Sequence, residues 1–576
     1  MKSFPDDVKE SAMLAVIAVL FSVLQLISTY IFRYGSFLYS ESHDWLFNAL
    51  LLVTFFLLYF IGAKAVYRVI DRCQKPEDVV VDGSSHGKWH GLAYFAVILL
   101  GWSPWLYAFY PGSLWYDMCY EYDQYYGAYR FDSEMQFPPF PTFVMGLLMD
   151  IGKNVFQSDN AGMFLYIILQ TVVCAAACTK ALTLLGELGA RRRIVCLFLL
   201  FYAFFPDFGA SAQMGANNVL NYGLTLLACT YIFRIYRHMA EGTSAGSNVL
   251  MCLGFITCAL LSSLWRREML YIFVFATAVL VIYGVRMKRG KISAVLLSGS
   301  LLLGLSASFS DRAVIGTLME HEYGTTHDSK ILSLPLRQIG HFVRYRGDLV
   351  YDMEERILDR CFDYGYYGIA RNYNPALADP LIFSFTMEDP ECVHGVSRVY
   401  WSFFRKDPAL FLESLIAASY GYYSVIPNDH SATEYVKGAG MRIPLLSMNR
   451  EPDIPFGHVS GIEYRAETKE LREMIAGWLV DLERSFNAFF GFGICTFLLI
   501  VLCSYSVLKE RKAWAAIPHI VPLMLCLACI ASPVNDCGRY YMGVFYVMPL
   551  LAGGAISSVC RTEQNPNTCH NQIVRM

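Results

Sequence analysis

Charge is missing from this sequence wherever it is most apolar. Asp, Glu, Lys and Arg make up 16% of the 576 residues against 55% hydrophobic ones, and none of the four falls inside the long apolar runs. His519 is the one imidazole within them. An ionisable group at mid-membrane is expensive and marks ion or proton pathways, so its absence argues against an ion-coupled pump or transporter. A flippase, which needs a polar route through the bilayer, is disfavoured for the same reason. Net positive charge is absent too, and a formal charge of -3 excludes a generally basic nucleic-acid binder. The 17 cysteines lack metal-ligand spacing: Cys174 and Cys178, Cys252 and Cys258, and Cys526 and Cys529 lie inside apolar runs and read as small buried residues. Cys361, Cys392 and Cys537 stand outside those runs, and the sequence leaves their pairing open. No long repeat or low-complexity segment occurs.

What is present is apolar length. A membrane-crossing helix takes about 20 apolar residues. The runs Ala12 to Phe32, Trp45 to Ala63, Gly91 to Tyr110, Ala161 to Cys178, Val249 to Leu264, Met269 to Val285, Ile292 to Phe309, Phe486 to Leu508, Trp514 to Ala531 and Tyr541 to Val559 qualify. The shorter Ile194 to Phe205 and Val219 to Phe233 join them. The first run is too long for a signal-peptide core and lacks a clear cleavage site, so it is expected as a retained span. Together they predict an all-α polytopic membrane protein with about twelve transmembrane helices.

Basic residues orient it. With the N-terminus cytoplasmic, the inner loops take Arg68, Arg72 and Lys75, then Arg191 to Arg193, Arg234 and Arg237, then Arg286 to Lys291, and finally Lys509 to Lys512. The positive-inside rule therefore predicts a multi-pass protein of the plasma membrane with both termini cytoplasmic. Five regions follow: a two-span hairpin with its cytoplasmic loop (1–90), a membrane core with an acidic outer loop at 110–160 (91–309), an extracytoplasmic, mainly helical soluble insert (310–484), a three-span segment (485–560) and a cytoplasmic tail (561–576). Phe143 to Met149 is too short to cross and is expected to lie at the interface.

The ionisable groups gather at the outer ends of these helices. "YPGSLWYDMCYEYDQ" places Asp117, Glu121 and Gln124 at i, i+4 and i+7, on one face if the loop starts as a helix, with Asp123 pointing elsewhere. "SSLWRREMLY" supplies Arg266, Arg267, Glu268 and Tyr271, Asn217 and Asn218 open the sixth span, and "SPVNDCGRYYMG" supplies Arg539 and Tyr540. Arginines in short outer loops violate the positive-inside rule, and their rigid fork of donors suits phosphate oxygens. Taken alone, each group also reads blandly. The acids can be a solvated loop beside an aromatic belt, and the arginines helix-end anchors, Arg539 beside Asp536.

In order along the chain, these motifs resemble the GT-C glycosyltransferases, multi-spanning enzymes that take sugars from polyprenyl-phosphate carriers, and most closely an uncharacterised bacterial membrane family of that plan. The resemblance covers most of the chain after Gly91 and includes "MQFPPFPTFVMG", "ILSLPLRQIGHFVRYRGD" and "NYNPALADP". It implies inverting transfer of a sugar from a polyprenyl-phosphate donor to an extracytoplasmic glycan, glycolipid or protein. Asp117 would be the general base, supported by Glu121. Arg266, Arg267 and Arg539 would meet the lipid phosphate, with Glu268, Tyr271, Tyr540, Gln124 and Asn218 lining the site. If a divalent cation takes part, Asp117 and Glu121 would offer oxygen ligands for Mg2+ or Mn2+. The chain departs from the pattern at Phe137, where the family has histidine, and at Asn217 and Asn218, where it has a Lys-Asp pair. Those departures favour the alternative of a non-catalytic membrane scaffold that binds glycan or protein, and a lipid-linked oligosaccharide polymerase or flippase is a second rival.

Overall fold

The computed structural model describes residues 6–40, 44–74, 88–114, 116–127, 138–241, 245–319, 332–387, 389–425, 462, 469–487 and 491–558. Trp115, Asp132, Phe137 and the expected tail 561–576 lie outside the described residues. Lipid offers no partner for backbone N–H and C=O groups, so charge-free runs satisfy them internally and form helices. In chain order these are α1 (Asp6–Tyr34), α2 (Trp45–Gln74), α3 (Lys88–Ala108), strand β1 (Ser113–Leu114), α4 (Tyr116–Tyr125), α5 (Pro139–Phe156), α6 (Asp159–Glu187), α7 (Arg192–Phe204), α8 (Pro206–Gln213), β2 (Met214–Gly215), α9 (Asn217–Glu241), α10 (Ala245–Trp265), α11 (Arg267–Arg286) and α12 (Gly290–Ala313).

The chain is an all-α polytopic membrane protein. Nine described helices are long and apolar enough to cross a bilayer: α1, α2, α3, α6, α9, α11, Phe492–Glu510, Ala513–Ile530 and the last span, Gly538–Ser557. The other three expected crossings are less regular. α7 and α8 are long and apolar enough only as a pair, bent by 46° at the break between them, and the described apolar parts of α10 and α12, Val249–Trp265 and Gly290–Leu305, are shorter. The bend has a local cause. Pro206 lacks an N–H and pushes the residue before it out of the helical region, and Phe205 takes φ -69° and ψ 125°. α5, which contains Phe143 to Met149, is not among the nine; it carries Asp150 and Lys153 and packs on α4 and α6.

Polar contacts collect at the two ends of the bundle. At one end Lys509 pairs with Asp71 at 2.9 Å, Tyr236 donates to Glu510 at 2.6 Å and Arg234 pairs with Glu187 at 2.8 Å. These residues come from the segments assigned to the cytoplasmic side. The opposite end holds the inserted helices α13 (Ser333–Arg346), α14 (Asp352–Cys361), α15 (Gly365–Asn372), α16 (Asp379–Ser384), α17 (Pro390–Lys406) and α18 (Pro408–Ala417). Their own core includes Leu336, Ile339, Leu358, Leu381 and Leu410, with Phe342 stacked on Phe403 at 4.1 Å. Cys361 and Cys392 are disulfide-bonded, whereas Cys537 is a buried free thiol.

The insert grips the loop that leads into the last span. Ala378 N–H donates to Pro533 O at 2.9 Å, Asn535 N–H to Ala376 O at 2.8 Å, and Leu377 bridges Val534. Tyr422 Oη donates to Val534 O at 2.9 Å and accepts from Cys537 N–H at 3.0 Å. Arg337, fully buried, donates to the carbonyls of Ser333, Pro375, Ala418 and Ser532 and so ties α13 to the same loop. A further helix, Lys469–Asn487, packs on α3 and α8 and buries Arg472, Ala476 and Leu479 while Leu471, Met474 and Trp478 are exposed.

Candidate functional site

The outer loop is positioned by a short parallel pairing that leaves no periodic signal. Ser113 lies opposite Met214 and Leu114 opposite Gly215, and Gln213 Oε1 accepts from Ser113 N–H at 3.1 Å and from its hydroxyl at 2.5 Å. Glycine permits the close approach. Gly112 has φ 131°, and a Cβ there would lie 2.6 Å from Ile167; one on Gly215 would lie 2.2 Å from Met163. The pairing sets α4 beside the start of α9. Further along, Asp150 fixes the far end of α4 by accepting from Tyr125 at 2.6 Å and Tyr126 at 2.8 Å.

Asp117 stands in the first turn of α4, where a helix dipole favours a carboxylate. Its Oδ2 accepts from Arg539 Nη1, across 422 sequence positions, and both side chains keep partial exposure, 16% and 14%. Arg266, at the N-cap of α11, pairs with Glu268 and donates to Asn218 Oδ1. Tyr540 joins the two arginines: its ring centroid is 5.1 Å from the Arg266 guanidinium carbon and 5.2 Å from that of Arg539. Tyr222 steadies the start of the last span by donating to Arg539 O at 2.8 Å.

One turn beyond Asp117, Glu121 is 1% exposed and accepts from Asn217 Nδ2 at 2.7 Å. Burial, then the charge of Asp117, hold its carboxyl well above the usual carboxylate range, against the opposing pull of the Asn217 hydrogen bond. Glu121 is thus a buried carboxyl behind Asp117, held in place by Asn217.

The structure brings Asp117, Glu121, Asn218, Arg266, Glu268, Arg539 and Tyr540 together. Gln124 is buried on α4 at 3% exposure, Arg267 opens α11, and Tyr271 stands 73% exposed on the surface of α11. Asp123, expected to point away from that face, is buried at 8% exposure. The sequence reading gave no site role to Asn217, which holds Glu121, or to Asp536. The latter lies at φ 54°, packed against Gly421, and burial pushes its carboxyl from 3.8 up to about 8. Its left-handed backbone at a non-glycine position leaves no trace in sequence.

Among the described residues no three His, Cys, Asp or Glu side chains are arranged to hold a metal. Of the two oxygen ligands expected for a divalent cation, Asp117 is engaged by Arg539 and Glu121 by Asn217.

Residues 134–568 match the model of a family of unknown function, DUF6020. No curated protein matches the chain. Among solved structures, the crystal structure of ArnT from Cupriavidus metallidurans bound to undecaprenyl phosphate aligns with 82% of this chain and 79% of its own, at 12% identity and a TM-score of 0.28.

Proposed function

The chain belongs to this DUF6020 family of unknown function, and from that premise we propose that it is a membrane glycosyltransferase. In this reading it moves a sugar from a polyprenyl-phosphate donor to a hydroxyl on an extracytoplasmic glycan, glycolipid or protein. The observation that carries the reading is the meeting of Asp117 with Arg539, and of both with Arg266 across Tyr540, at the ends of membrane helices. A lipid-borne phosphate and a water-borne hydroxyl share only that boundary. The order of motifs resembling the GT-C enzymes supports the same reading.

Asp117 takes the proton of the acceptor hydroxyl, whose oxygen bonds to the sugar C1 from the face opposite the phosphate. The C1–O bond to phosphate breaks, and its electron pair leaves with the polyprenyl phosphate, which Arg539 and Arg266 neutralise. Asn217 and Asn218 replace a Lys-Asp pair, yet both amides are engaged, one with Glu121 and the other with Arg266. An outer-face site is supported by the disulfide in the insert, which favours an oxidising compartment, and by the positive-inside count.

The test compares wild type with Asp117→Asn, both shown to be folded, for transfer of labelled sugar from a panel of polyprenyl-phosphate donors in membranes. Transfer by wild type and a loss of about 100-fold or more in the variant are expected for removal of a general base. Full activity in a folded Asp117→Asn protein would remove the centre of the mechanism. Ligand binding without transfer by wild type would favour a binding scaffold.

A further inference from the structure

The site is charge-balanced and closed on itself. Arg539 donates to Asp117 and Arg266 pairs with Glu268, so each guanidinium that would receive a phosphate is already held by a carboxylate. The oxygen that would receive the acceptor's proton, Asp117 Oδ2, is the one occupied by Arg539 Nη1. Base and phosphate receptor therefore block one another. Neither is deeply sealed, since the four side chains remain 14–39% exposed and can exchange partners without unfolding their helices.

Resting on the glycosyltransferase reading, we infer that the Arg539–Asp117 ion pair is a lock that the donor opens with its own phosphate. The phosphate takes Arg539 Nη1, Asp117 is released, and its Oδ2 becomes free for the acceptor hydroxyl. Glu121, buried one turn beyond Asp117 and held by Asn217, offers the released carboxylate no cation in place of Arg539. The Arg266–Glu268 pair opens in the same way on the other side of Tyr540. The enzyme is then ordered: donor first, acceptor second. Without a donor the base is masked, which protects an outward-facing site from activating stray hydroxyls or water.

The lock makes a claim about binding that is separate from catalysis. Neutralising a carboxylate that only stands near the phosphate relieves a repulsion that salt screens, whereas neutralising the holder of a phosphate receptor also frees its donor for a direct hydrogen bond, a gain that persists at high salt. The experiment therefore measures at high salt the Kd of undecaprenyl phosphate for the full-length protein in nanodiscs, for wild type, Asp117→Asn, Glu268→Gln and Asp536→Asn, each checked by thermal unfolding. Asp117→Asn is expected to bind about tenfold more tightly, the scale of one charge-assisted hydrogen bond no longer contested. It should at the same time lose transfer, and Asp536→Asn should bind as wild type does. Equal or weaker binding by Asp117→Asn, or an equal gain in Asp536→Asn, would overturn the lock and leave the glycosyltransferase reading standing. If Asp117→Asn does not fold, Glu268→Gln carries the test, because it frees Arg266 by the same logic; an unchanged Kd there sinks the idea. A wild type that binds no undecaprenyl phosphate would defeat the underlying reading and the lock together.

Discussion

Asp536 carries a burden that its neighbours do not share. Its carboxyl, raised from 3.8 to about 8, binds a proton in the folded protein that it releases when unfolded across that interval. A folded state that holds more protons than the unfolded one loses stability as pH rises. The melting temperature is therefore expected to fall between about pH 5 and about pH 8, and Asp536→Asn should flatten that fall, measured by thermal unfolding in detergent. Glu121 contributes a decline of the same sign, so the variant reduces the slope without abolishing it. At this scale the sequence disclosed which groups were anomalous, such as arginines in short outer loops and acids just past an apolar run. It did not disclose their partners. Arg539 has Asp536 three positions away and Asp117 422 positions away, and only the folded chain shows that it reaches the distant one.

Helices were the most legible elements, because a charge-free run of sufficient length has one way to satisfy its backbone in lipid. The strand pair escaped notice, since two residues on each side produce no alternation to detect. The short run ending at Pro206 read as a weak span in its own right, because α8 beyond it is polar enough to pass for a loop: "PDFGASAQ" is entirely buried by tertiary packing. Because the strand pair sets the register of α4, its glycines are its weak points. Gly112→Ala adds a Cβ 2.6 Å from Ile167 at φ 131°, a left-handed conformation that disfavours side chains. The expected loss is about 1–3 kcal/mol of stability, together with reduced sugar transfer as Asp117 leaves its register, read by thermal unfolding and the transfer assay.

As a whole, the molecule is a membrane bundle whose last span begins inside the grip of its own insert. The sequence identified the insert as folded and helical. It could not reveal that "NYNPALADP" and "SPVNDCGRYY" are contact partners, because a bridge such as Leu377 to Val534 depends on long-range topology. Arg337 tests the coupling. Burial lowers its guanidinium to about 10, and the carbonyls of Ser333, Pro375, Ala418 and Ser532 hold it. Lysine keeps the charge but not the planar fork. Arg337→Lys is expected to cost about 2–4 kcal/mol and to weaken binding of undecaprenyl phosphate, since Ser532 leads into the segment that seats Arg539. Unfolding and Kd measurements on one preparation separate the effects, and an unchanged Kd would show that the insert does not position the site.

Much of that grip runs through the main chain: Ala378 to Pro533, Asn535 to Ala376, and the bridge between Leu377 and Val534. Backbone bonds do not depend on the side chains hung from them. Leu377 and Pro533, only half-buried, can therefore drift in identity while the seat of Arg539 stays in place, whereas the buried Ala376, Ala378 and Val534 are held by packing. The exposed surface of the insert is therefore free to change around an unaltered Asp117–Arg539 pair, so the insert's face and the membrane-end cluster can vary independently.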